Sequence, residues 1–91
     1  MASSLIKAPM IVVKATQTVN NVGANTGGAV TIPISVPSGY TPLMASVEEY
    51  SLQNLLECHL ESFDGTRVVV RYANYRTSAT TMKFQVRVLC R

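Results

Sequence analysis

From Met82 to Cys90 the apolar residues fall at every second position, Met82, Phe84, Val86, Val88 and Cys90, while Lys83, Gln85 and Arg87 point the other way. A period of two belongs to a β-strand, whose successive side chains leave opposite faces, so this run predicts a strand with one buried and one wet side. The same period governs Val30 to Val36, with Val30, Ile32, Ile34 and Val36 on one side and Thr31, Pro33 and Ser35 on the other. Pro33 has no N–H to give to a ladder, which places that strand at a sheet edge. A third run, Met10 to Ala15, is apolar enough to predict burial on both faces.

Between these runs lie turn-forming clusters. Residues 20–28, NNVGANTGG, read as a long loop whose Gly and Asn suit positive φ angles. Residues 36–42, VPSGYTP, read as a tight connection, and residues 74–81, NYRTSATT, as a polar loop. The stretch 41–62 has two readings. Thr41 and Pro42 suit a helix start, but Leu56, Cys58 and Leu60 alternate with Glu57, His59 and Glu61. We read two strands, about Leu43–Glu49 and Leu55–Ser62, broken at Ser51–Asn54.

The segment HLESFDGTRVVVRY, residues 59–72, holds the single histidine beside a cysteine and several charges. A three-residue loop Phe63-Asp64-Gly65, with Gly65 at positive φ, explains it as a hairpin tip. Leu60 then faces Val68, Cys58 faces Val70 and Leu56 faces Tyr72. On the other side Glu61 faces Arg67, Glu57 faces Arg71 and His59 faces Val69. A two-residue loop would instead put Cys58 opposite Arg71 and mix the faces. His59 is therefore predicted on the wet side and Cys58 on the core side, so the two cannot grip one metal. No second histidine exists, and the spacing of Cys58 and Cys90 is not that of a zinc site. Both cysteines belong to core faces. A disulfide between them stays open, although free buried thiols are commoner in a protein made in the cytoplasm.

Chemistry is hard to find in the remainder. The one Asp sits in the turn, and Glu48 and Glu49 are sequential, hence on opposite faces of a strand. GANTGG lacks the lysine and the helix of a phosphate-cradling loop. No catalytic residue, metal ligand or cofactor is assigned, and an enzyme is not expected. Two groups of residues are candidate binding sites. Tyr40, Tyr50 and Tyr75, with Arg76, fall in or beside predicted loops, where a ring can stack on a sugar. The bland alternative is packing across loop bases or a subunit interface. Lys83, Arg87 and Arg91 follow one face of the last strand and could meet a polyanion, against the alternative of a solvated strand face.

Charged residues make up 14% of the 91 residues, well under the roughly 25% of an ordinary soluble domain. A chain of this size buries only about 60–65% of its unfolded surface. A thin core under a charge-poor surface predicts an oligomer. The net charge of +3 rests on eight basic residues, too few and too scattered to announce nucleic acid. No apolar run is long enough for a transmembrane helix, and the first residues lack the pattern of a secretory signal. Organisation is expected to be an N-terminal arm, 1–8, and one β-sandwich domain, 9–91.

From Ala29 onward the chain resembles a module found at the C-terminal ends of phage tail-fibre and minor structural proteins. The likeness covers about two thirds of the chain. It is carried by AVTIPISVPSGYTPL, the hairpin LLECHLESFDGTRVVVRYAN and the closing TMKFQVRVLC, and within these by SGY, YAN and VLC. It implies a small antiparallel sandwich, jelly-roll-like, of six or seven strands. It also implies a homotrimeric knob or receptor-binding tip in a virion, assembled after synthesis in the host cytoplasm. Its partners would be other virion proteins or a host-surface glycan; the composition leads us to expect neither a membrane nor nucleic acid as a partner. The alternatives are a free-standing capsid decoration or head-fibre protein, and a cytoplasmic polyanion-binding regulator.

Overall fold

The computed structural model describes residues 9–91, so the expected arm 1–8 lies outside the described residues. The described chain forms β1 (Ile11–Val22), β2 (Thr26–Pro33), β3 (Pro42–Glu49), β4 (Leu56–Phe63), β5 (Arg67–Asn74) and β6 (Thr80–Cys90). They build two antiparallel three-stranded sheets, β1-β6-β3 and β2-β5-β4. The described residues are all-β, a small sandwich with β6 central in one sheet and β5 central in the other. The ladders β1·β6 and β2·β5 are two halves of one long ribbon, bent where 23–25 and 75–79 cross between sheets. This is winding of the jelly-roll kind.

Alternation explains the core. Met82, Phe84, Val86, Val88 and Cys90 are fully buried, and so are Val68 and Val70 of β5. Ile32 of β2 joins them, with Ile34 just beyond its end. Phe84 and Tyr72 meet across the sheets, ring centres 5.4 Å apart. As expected, β2 is an edge strand, with Pro33 as its last residue.

Several expectations need correction. The strand read over Val30–Val36 begins at Thr26 and ends at Pro33, so Ile34 and Val36 lie beyond it. β1 is not buried on both faces: it alternates, and Val12 is 53% exposed, because one of its faces has no layer over it. Residues 20–28 are not a long loop. β1 runs to Val22 and β2 begins at Thr26, leaving a turn of Gly23-Ala24-Asn25. Asn21 and Asn25 do hold positive φ, 54° and 53°, as short polar side chains permit. The register of β1 against β6 slips between Val19 and Val22, and this slip turns Val22 inward.

The hairpin register is also two residues from the expected one. Leu60 faces Val70, Cys58 faces Tyr72, and His59 faces Arg71 rather than Val69. A shift of two leaves every side chain on its predicted face, so sidedness was right while pairing was not. Glu61 is an extra residue in β4, and past it Ser62 faces Val69 and Phe63 faces Val68. Phe63 thereby packs on the core instead of sitting in the loop. The connection is Asp64-Gly65-Thr66, with Gly65 at φ 91° as expected. Arg71 pairs with Glu61, and Arg67 with Asp64, in place of the predicted Glu57–Arg71 and Glu61–Arg67 pairs. The expected break at 51–54 extends over 50–55, with Leu52 and Leu55 at positive φ.

Candidate functional site

The topology sorts the loops. Connections 23–25, 50–55 and 75–79 gather at one end of the sandwich, while 34–41 and 64–66 lie at the other. Tyr50 and Tyr75 are at the first end, 39% and 53% exposed. Tyr40 is at the second, half-buried against the core with its N–H donating to Pro37 O. The three tyrosines are not one site.

Arg76 ties the first end together. Its Nη1 donates to the Asn54 backbone and side-chain oxygens, its N–H donates to Asn74 Oδ1, and its carbonyl accepts from Asn25 N–H. Asn74, buried completely, is the residue sequence reasoning missed. Its side-chain amide donates to Val22 O, Gly23 O and Ser78 O at 3.0–3.1 Å. Those carbonyls belong to both segments that cross between the sheets. In the sequence, an Asn at the inward position of an otherwise apolar β5 face was the available signal.

Beside this end, on the outer face of the β5 sheet, an open groove of about 280 Å³ is lined by Gly27, Glu57, His59, Arg71, Ala73 and Tyr75 among others. Its floor is bare because Gly27 and Ala73 are partners across β2 and β5. Tyr75 OH donates to Glu57 at 3.4 Å, and Arg71 Nε donates to Glu61 at 2.7 Å. That bond draws the Glu61 carboxyl below its ordinary range and raises Arg71. The groove was illegible in the sequence because the two-residue register error set His59 opposite Val69.

The proposed basic stripe lies on the outer face of the β6 sheet, with Lys83 exposed and Arg91 at the far end, its backbone paired with Thr41. Arg87 is ion-paired with Glu48 on β3. Lys14, its cross-strand partner on β1, adds a charge to the face that the sequence reading did not include.

The same face carries an apolar rung. Val12, Leu89 and Met44 are opposed across β1, β6 and β3, and they line a shallow hollow of about 210 Å³. Val12 and Met44 are 53% and 60% exposed, with Leu43 and Met10 nearby in the chain at 49% and 48%.

No family model, curated protein or solved structure matches this chain.

Among the described residues no group of three His, Cys, Asp or Glu is placed to hold a metal ion. Among the described residues there is no helix long and apolar enough to cross a membrane. Cys58 and Cys90 are free thiols, in different sheets. Burial, then the carboxylates of Glu49 and Glu48, pushes the Cys58 thiol up, away from nucleophilic use.

Proposed function

We propose that the chain is a phage virion structural or attachment module, of the fibre-knob or receptor-binding-tip kind, that acts by non-covalent binding as a homotrimer. The observation that carries the reading is the apolar rung Val12–Leu89–Met44, open on the outer face of the β6 sheet. On a domain this small such a patch is a contact surface waiting for a neighbour. The jelly-roll winding and the low charge fraction agree with that role. A capsid decoration or head-fibre protein is the second reading, favoured by the same apolar patch if its neighbour is a capsid lattice.

Sedimentation equilibrium at micromolar concentration tests the assembly. The expected species contain three chains or a multiple of three, and Met44→Lys, which sets a charge in the rung, should abolish the threefold contact. Single chains or bare dimers for the wild type would overturn the trimer. A glycan array then separates the two roles: a receptor-binding tip retains sugars through the Tyr50 and Tyr75 end, whereas a decoration protein retains none.

A further inference from the structure

Four strands of this sandwich have a free edge, β1 and β3 in one sheet and β2 and β4 in the other. Open edges invite another strand, and proteins blunt them with proline, charge or bulges. Three of the four are blunted here. β2 ends in Pro33; β3 begins at Pro42, has an irregularity before Met44 and ends in Glu48-Glu49; β4 carries Glu57, His59 and the extra residue Glu61. β1 is different. From Ile11 to Val19 its ladder with β6 is unbroken, it has no proline, and Lys14 is its one charge. Among the described residues no backbone–backbone hydrogen bond is made along its side away from β6, and the one side-chain bond to a β1 carbonyl that stands on an exposed position is the 3.3 Å contact from Gln17 Nε2 to Thr18 O.

We infer that the free edge of β1 pairs antiparallel with the β1 edge of a second copy of this chain, about a two-fold axis at Thr16. The pairing joins two three-stranded sheets into one of six. The edge is self-complementary. Opposed residues must share a face, so their numbers must sum to an even value, and axes at Ala15 or Thr16 use most of the regular segment. An axis at Ala15 sets the two Lys14 positions about 8 Å apart, within a Debye length, and an axis at Thr16 sets them about 14 Å apart. Repulsion selects Thr16. In that register Val13 meets Val19 on the core side, Lys14 meets Thr18 on the outer side, and Thr16 meets its own copy, a favourable strand pair. The contact uses the edge of the sheet and leaves the rung Val12–Leu89–Met44 on its face, so it is independent of the threefold contact. With both, six chains associate.

Charge substitutions on the exposed outer side of β1 test it by sedimentation equilibrium, with circular dichroism as the control for folding. Thr16→Lys brings two ammonium groups together at the axis and should weaken the two-fold association about tenfold or more, leaving three-chain species. Thr16→Ser should retain it. Thr18→Glu, facing Lys14 of the second copy on both sides of the axis, should tighten it about three- to tenfold. Met44→Lys should leave two-chain species. Wild-type single chains at high micromolar concentration, or association untouched by Thr16→Lys, would overturn the inference. Loss of all association in Met44→Lys would overturn it too, while leaving the threefold reading in place. Tightening by Thr16→Glu in place of Thr18→Glu would overturn the axis at Thr16.

Discussion

Gly65 turns the hairpin at φ 91°, a region that a β-branched side chain enters only with strain. A Cβ there would also lie 3.2 Å from Pro42 Cγ. Gly65→Val should therefore cost about 1–3 kcal/mol in urea unfolding, and a variant as stable as the wild type would refute the turn. His59→Ala, on the exposed face of β4, should cost under about 0.5 kcal/mol by the same measurement. Next to Gly65, the Asp64 carboxylate accepts from Thr66 N–H, Thr66 Oγ1 and Arg67 N–H. These bonds, the Thr66 amide first, pull its pKa from 3.8 to about 2. A depressed folded value means that the contribution is complete above about pH 4 and is lost as pH falls towards 2. Asp64→Asn keeps an acceptor but does not titrate, so its urea midpoint should fall less than the wild type's between those pH values. An identical fall in both would show that Asp64 contributes nothing.

At the scale of elements, the bend between the sheets depends on Asn74. It satisfies three carbonyls from Val22, Gly23 and Ser78 and takes the Arg76 amide. Asn74→Ala takes the partner from all four groups, the Val22 carbonyl among them buried, and should cost about 2–3 kcal/mol; a loss under about 0.5 kcal/mol in urea titration would remove Asn74 from this role. The strands themselves were legible, because period-two burial is written directly in 30–36 and 82–90. Pairing was less so. Face assignment in the hairpin survives any shift by two, and either register brings acids near bases, so nothing in the sequence separated Arg71 from Arg67 as the partner of Glu61. The turn at 23–25 was misread because Asn and Gly announce positive φ without saying how many residues need it. Two of them, Asn21 and Asn25, hold positive φ at a strand end and in a turn, and strand continues on both sides.

At the scale of the molecule, the candidate binding residues were legible as types but not as neighbours. Tyr40 parts from Tyr50 because β3 runs from one end of the sandwich to the other between them, and Arg87 loses its free charge to Glu48 on a strand that only the topology brings alongside. The apolar rung was hidden for the same reason: Val12, Met44 and Leu89 are far apart in sequence and share a row only through β6. That central position has a kinetic side. β1 and β3 pair with β6 and not with each other, and β6 is the last of the six strands to be synthesised. While translation proceeds, the β4–β5 hairpin has its local partner, but no rung of the other sheet can close. The inward sides of β1 and β3 stay uncovered until Thr80–Cys90 arrives, and closure then spans nearly the whole described chain. Long-range pairing of this kind folds slowly and leaves sticky intermediates, so the newborn chain passes through a period of exposure that ends only once β6 has been made.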